Sequence, residues 1–412
     1  GARRARSVTQ QVPMRIALVS QEYPPETAKG GLGTQTYLKA HSLLARGHEV
    51  HVISRSVDGV RADRDDRGVR VTRVPDGSSR LAVHTEIADW ITYSAEVAAE
   101  VAALHARAPV DLVEFPEWGA EGYIHLLNRT EWHSIPTAIQ LHGPLVMLAA
   151  TMGWPDPASE FYRTGIALEG ACVRLADVVY SSSSCSADWC AREYGLQRQT
   201  IPVLHSGVDT AVFAPRTVAK ADRPTVVFAG KLAKTKGVDV LVAAACRLAR
   251  DIPDLRVRLV GRGEPRSLAE LQRRATAAGF PALLEMPGFV DAADLPDELS
   301  AAHVFAAPSE YEGGPGFVYL EAMACGLPVI GCRGSGAAEV IQEGETGFLV
   351  PAGDVEALTA ALRRLLDDAP YRMAMGERGR RFVVTEADSA TCARRLETFY
   401  AGVVARAGAA RS

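Results

Sequence analysis

Residues 308–330 read Pro-Ser-Glu-Tyr-Glu-Gly-Gly-Pro-Gly-Phe-Val-Tyr-Leu-Glu-Ala-Met-Ala-Cys-Gly-Leu-Pro-Val-Ile. Glu312 is followed by Gly313, Gly314, Pro315 and Gly316, a loop whose bare backbone can come close to a ligand. Pro315 suits a first helical turn, where its missing N–H costs nothing. The spacing predicts a helix from Phe317 to Cys325, ended by Gly326, with Pro328 opening an apolar strand. A glycine-rich loop that feeds a helix N-terminus is a ready anion site, above all for phosphate. Inside that helix Glu321 sits among Phe317, Val318, Leu320, Ala322, Met323 and Ala324, so its carboxylate is expected to be buried and in need of a partner. The segment reads as a phosphate cradle with a carboxylate beside it for hydroxyl groups.

The 412-residue chain is too long for one ordinary core, and about two domains are expected. Apolar residues at 47% and charged residues at 23% describe a soluble globular protein, and a net charge of −4 offers no reason to expect nucleic acid as a partner. The basic start, Arg3, Arg4 and Arg6, reads as a tail. Arg61, Arg64, Arg67, Arg70 and Arg73 alternate with Asp63, Asp65 and Asp66, which reads as a solvated hairpin. Seven cysteines without a Cys-x-x-Cys pair fit a reduced, cytoplasmic protein with buried thiols. No apolar run reaches the length of a transmembrane segment, and oligomeric state is not readable.

The apolar run Met14–Ser20 reads as a buried parallel strand, followed by a helix over 33–46 and a strand over 49–54. Further strands are expected at 110–115, 136–141 and 177–181, with helices over 87–105 and 160–175 between them. The pattern weakens over 208–224, which reads as a linker, and then restarts at Thr225–Ala229. Strand–helix alternation on both sides predicts two doubly wound α/β domains.

Five further segments stand where α/β folds place ligands, at strand ends. Phe228–Gly237 carries Gly230, Lys231 and Lys236, two cations able to converge on one anion. Gly30, Gly31 and Gly33 lie between the first strand and its helix, a poor dinucleotide fingerprint because the third Gly is missing. His142 ends an apolar strand. Gly261-Arg-Gly263 and Gly288-Phe289-Val290 each follow a strand. Glu114, Glu117, Trp118, Glu121 and Tyr123 cluster behind another strand and read either as an acceptor loop or as a solvated acidic loop. No His, Cys, Asp or Glu set has metal-ligand spacing, and no Ser-His-Asp arrangement is visible.

In this order the segments resemble the sugar-donor motifs of retaining GT-B glycosyltransferases of family 4, over roughly residues 14–385. The family pattern is Glu, a glycine loop, Glu-Ala-Met-Ala, then Gly-x-Pro-Val; here eight residues, 313–320, separate Glu312 from Glu321 where the family usually has seven. Lys231 stands where Arg is commoner, and Ser206 replaces the Asn of the family's Asn-Gly-Val-Asp turn. The resemblance implies two Rossmann-like domains facing across a cleft, with a C-terminal helix crossing back to the first. The expected domains are 14–213 plus the helix 388–405, on the acceptor side, and 214–387, holding the donor. It implies that Lys231 and Lys236 grip the donor diphosphate and that Glu312 and His142 hold the sugar. Glu321 would bind the ribose, and the backbone of Phe289 and Val290 would read the base. Gly30, Gly31, Gly33, Gly230, Gly261, Gly314, Gly316, Phe317 and Val318 would approach the donor, and Glu117, Trp118 and Tyr123 the acceptor.

The expected reaction moves a hexose-type sugar from a nucleoside diphosphate to a small acceptor with retention, without metal or other cofactor. On frequency within the family, uridine is favoured over guanosine. Two rivals on a similar fold are a sugar-nucleotide epimerase and a phosphorylase. An NAD-dependent oxidoreductase is disfavoured because Arg266 stands where a third Gly belongs. A non-catalytic sugar-nucleotide-binding protein is disfavoured by the two lysines and Glu321.

Overall fold

The structure is a computed structural model and describes residues 12–27, 31–77, 85–130, 134–312, 314 and 316–411. Arg3, Arg4, Arg6, Gly30, Gly313 and Pro315 lie outside the described residues. The strands are β1 (Arg15–Val19), β2 (Glu49–Arg55), β3 (Ala62–Asp66), β4 (Val69–Val74), β5 (Leu112–Pro116), β6 (Thr137–Leu141) and β7 (Val178–Ser181), then β8 (Thr225–Ala229), β9 (Arg256–Val260), β10 (Leu284–Gly288), β11 (Val304–Ala306), β12 (Val329–Cys332) and β13 (Gly347–Val350).

Two sheets result. The first runs β3-β4-β2-β1-β5-β6-β7 and the second β10-β9-β8-β11-β12-β13. Counting within the second sheet, this is the doubly wound order 3-2-1-4-5-6, with its topological switch point between β8 and β11. The first sheet has the same order, with its switch point between β1 and β5, once β3 is set aside as an edge strand antiparallel to β4. The continuous apolar runs that suggested parallel strands are buried throughout: β5, β6 and β8 have no exposed residue. Strands with helices on both faces need apolar side chains on both.

The described residues divide into two compact units. One holds the chain up to Ile139, Ala171–Val178 and the chain from Glu397; the other holds Gln140–Gly170 and Val179–Leu396. In the second, Val226, Phe228, Leu259, Phe305, Leu320, Met323 and Leu358 are fully enclosed and form a single core. The C-terminal helix Ser389–Arg411 contributes its residues from Glu397 onward to the first unit. There Glu397 accepts from Arg46 and pairs with His48 at 3.0 Å, and Tyr400 bonds Glu114.

One expectation needs correction. The 61–73 cluster is not solvated as a whole. Arg73 is buried and bonds Ser54, Thr27, the Tyr23 carbonyl and Glu26, which fixes the loop after β1. The stretch read as a linker is anchored at its start. Val208 N–H donates to the Ala387 carbonyl and Ser389 N–H returns to the Val208 carbonyl, both at 2.9 Å. A Cβ on Gly207 would lie 2.7 Å from that same backbone, so only glycine admits the approach.

Candidate active site

The second sheet's switch point brings the end of β8 beside the end of β11, and both ends carry the residues singled out from sequence. After β8 the chain turns at Gly230 (φ 141°), passes Lys231, forms a short turn over Lys234–Lys236 and reaches Gly237 (φ 71°). After β11 it runs through Pro308 to Glu312. Backbone and hydroxyl bonds hold the two segments together. Glu310 N–H donates to the Thr235 carbonyl at 3.1 Å, and the buried Ser309 hydroxyl donates to the same carbonyl at 3.3 Å. Gly237 packs so closely that an added Cβ would sit 2.0 Å from the Pro308 carbonyl oxygen. The outcome is an ion pair: Lys236 Nζ lies 2.8 Å from Glu312 Oε1 and 3.4 Å from the Tyr311 carbonyl. Both side chains are partly exposed, so the cation remains accessible to a ligand anion. Lys231 is exposed and bonds no described residue through its side chain.

The loop after Glu312 leads into the helix Phe317–Ala324 through Gly316, whose φ of 71° and close contact with the Tyr319 ring exclude a side chain. No side chain caps that N-terminus. The Tyr319 hydroxyl bonds the Ala307 carbonyl, tying the helix to the end of β11. Gly314 is covered by Gly336, where a Cβ would lie 1.8 Å from the Gly314 carbonyl oxygen, and Gly336 N–H donates to the Glu312 carbonyl at 3.0 Å. An uncapped helix N-terminus beside the Lys236–Glu312 pair suits a polyanion such as a diphosphate.

Glu321 lies one turn into this helix. It is half-buried, and its carboxyl bonds no described residue. Desolvation alone pushes its pKa up to about 7. The partner that its sequence position demands is therefore not supplied by the described protein.

Gly230, Gly261 and Gly288 close the ends of neighbouring strands β8, β9 and β10. Gly230 N–H donates to the Val260 carbonyl at 3.0 Å and Gly261 N–H to the Gly288 carbonyl at 2.8 Å. A Cβ on Gly261 would meet the Gly230 carbonyl oxygen at 1.8 Å. Phe289 is exposed and Val290 half-buried at the same rim.

His142 directly follows β6, is half-buried, and its carbonyl accepts from the Ser186 hydroxyl at 3.2 Å. Gly31 opens the helix Gly31–Ala45, and nothing lies near the space its Cβ would fill. Gly33 N–H donates to Glu22 Oε2 at 3.3 Å, so an internal carboxylate occupies the helix start. Glu22 was not among the residues read from sequence, and no local pattern marks it.

The acidic cluster behind β5 is not a solvated loop. Glu114, Glu117 and Glu121 are all buried. Glu114 pairs with Lys39 and Tyr400. Glu121 accepts from Gln21 N–H at 3.1 Å, which joins the ends of β1 and β5 at the first sheet's switch point. Burial raises the Glu121 pKa to about 8. Trp118 packs against Trp90 at 5.8 Å, and Tyr123 is half-buried at the start of a short helix. Among the described residues no group of three or more His, Cys, Asp or Glu side chains is arranged to hold a metal ion. No described helix is long and apolar enough to cross a membrane.

Comparison with known proteins agrees with this architecture. A family model described as Glycosyltransferase Family 4 matches residues 29–212, and one described as Glycosyl transferases group 1 matches residues 211–382. A GDP-mannose-dependent alpha-(1-6)-phosphatidylinositol monomannoside mannosyltransferase of Mycolicibacterium smegmatis is 31% identical, over 94% of this chain and 98% of its own. A D-inositol 3-phosphate glycosyltransferase of Kineococcus radiotolerans is 29% identical, over 95% of this chain and 96% of its own. The solved sucrose-phosphate synthase of Thermosynechococcus elongatus superposes with a TM-score of 0.78 at 26% identity, covering 95% of this chain and 99% of that one. The fold is that of the GT-B glycosyltransferases. The chain belongs to glycosyltransferase family 4, group 1.

Proposed function

We propose that the protein is a retaining, metal-independent hexosyltransferase whose donor is a guanosine diphosphate sugar. The observation that carries the reading is the pairing of Lys236 with Glu312 at 2.8 Å at the second sheet's switch point, beside the uncapped N-terminus of Phe317–Ala324. Lys231, Lys236 and the helix start at Phe317 and Val318 bind the diphosphate and stabilise the charge that builds on it as it leaves. Glu321 accepts from the ribose hydroxyls. Glu312 and His142 orient the sugar. Departure of the phosphate and entry of the acceptor on the same face retain the anomeric configuration, the leaving phosphate taking the acceptor proton.

Guanosine replaces uridine as the favoured base because the M. smegmatis relative, matched over nearly its whole length, is described as GDP-mannose-dependent. Both named relatives act on inositol-bearing acceptors, so a polyol of that type is the acceptor to test first. The donor is tested by a thermal-shift panel of sugar nucleotides. A ligand at 100 times its dissociation constant adds about 2.7 kcal/mol. GDP-mannose should raise the melting temperature more than UDP-glucose, and a larger rise with UDP-glucose would return the base to uridine.

A further inference from the structure

Three neighbouring strands of the second sheet end alike. Each of β8, β9 and β10 is closed by a glycine at positive φ (Gly230, Gly261 and Gly288), and the next residues are Lys231, Arg262 and Phe289. The turns are bonded to one another. Leu232 N–H donates to the Arg262 carbonyl at 2.7 Å, and Gly261 N–H to the Gly288 carbonyl at 2.8 Å. Strands are spaced about 4.8 Å apart, so the row from Lys231 to Phe289 spans about 10 Å. That is a length over which an extended nucleoside diphosphate can reach from phosphate to base.

At the far end of the row the guanidinium of Arg262 lies over the ring of Phe289, its Cζ 4.7 Å from the ring centroid. Phe289 is 58% exposed, an unusual position for a large aromatic side chain. Arg262 is also exposed, and its side chain makes no hydrogen bond or ion pair with any described residue. The guanidinium thus lies against an aromatic ring while its donors make no bond to a described residue.

We propose that Arg262, positioned over Phe289, is the platform on which the donor's nucleobase stacks, and that it gives the site its preference for a purine. A planar, delocalised cation stacks on π-faces. A two-ring purine offers it more face than a one-ring pyrimidine. This rests on the donor reading above and adds the residues that select the base. Phe289 acts as a positioning residue, through Arg262.

The test is calorimetry of GDP, ADP and UDP with the full chain and with Arg262→Ala and Phe289→Ala. Each substitution is at an exposed side chain, and an unchanged melting temperature without ligand confirms an intact fold. Stacking contacts of this kind are worth about 1–3 kcal/mol, so Arg262→Ala should weaken GDP and ADP alike by about tenfold and UDP distinctly less. Phe289→Ala should produce the same pattern at smaller size. An equal loss for all three nucleotides would make Arg262 a phosphate contact. A loss for GDP with ADP unchanged would mean that it reads the guanine edge. Either result, or no loss, overturns the stacking assignment while leaving the donor reading intact. If the unaltered protein bound no nucleoside diphosphate, the donor reading itself would fall, and this assignment with it.

Discussion

Replacing Glu321 by Gln should improve the fold and damage binding, and the two effects should separate by pH. The Glu321 carboxyl ordinarily titrates near 4.5, and in the ligand-free protein burial lifts this to about 7. The sign follows directly. Below pH 4.5 the group is protonated both folded and unfolded, and its burial carries no charge penalty. Between about pH 4.5 and 7 the unfolded chain has ionised while the folded protein keeps the proton, so stability falls across that window and levels off above pH 7. Each pH unit between the two values is worth about 1.36 kcal/mol, giving an upper bound of about 3 kcal/mol at pH 8. The partly exposed edge reduces that to about 1–3 kcal/mol. Glu321→Gln is therefore expected to match the parent at pH 4.5 and to melt about 2–8 °C higher at pH 8, measured without nucleotide.

Ligand binding should move the opposite way. Ribose hydroxyls donate to a carboxylate, and a charge-assisted bond contributes about 1.5–3 kcal/mol. The variant should lose about tenfold or more in affinity for a GDP-sugar at pH 8. Parental affinity should itself decline as pH drops below 7 and the carboxyl takes up a proton, whereas the variant should be flat there. A sugar-esterified diphosphate is the right probe, because it has no terminal phosphate group titrating in this window. A 2′,3′-dideoxyribose donor should bind the parent poorly and suffer little more from the mutation, the non-additivity of a shared contact. Fully additive losses, or no stability gain at pH 8, would refute the reasoning and leave Glu321 as a structural support for the loop before Phe317.

Lys236→Ala should lower kcat by roughly 10²-fold with the fold retained, and parental turnover in that variant would remove the Lys236–Glu312 pair from the chemistry. Activity should persist in excess EDTA, whereas loss that Mn²⁺ or Mg²⁺ restores would point to a metal step. Gly237→Ala places a Cβ 2.0 Å from the Pro308 carbonyl oxygen at a φ of 71°. It should lower the urea midpoint by the equivalent of about 2 kcal/mol or more, and an unchanged midpoint would show that the 231–237 and 308–312 segments are not rigidly joined.

Much of the second domain is legible in sequence because its signals are local. Val226–Ala229 is an unbroken apolar run with Gly230 at its end, and both the buried strand and the turn follow from those residues alone. The helix after Gly316 is equally local: glycine loop in, Gly326 out. What sequence reading misses depends on partners far along the chain. Glu114 is buried because Lys39 and Tyr400 neutralise and cap it, and nothing near residue 114 announces either partner. Arg73 is enclosed because it bonds the loop at 23–27, while its neighbours in sequence are the exposed charges of a hairpin. Glu22 at the Gly33 N–H has the same character. The Arg262–Phe289 stack lies between these extremes. Its two residues sit at the corresponding position after consecutive strand-end glycines, a repeat that becomes visible only once the strand order is known.

The central claim is a transfer reaction, and it is tested most directly by incubating the purified protein with GDP-α-mannose and an inositol-bearing acceptor, following GDP release and the anomeric proton of the product by NMR. The account predicts GDP release that depends on the acceptor and a product with the donor's α configuration. Conversion of the donor without acceptor, or a β-configured product, would contradict it.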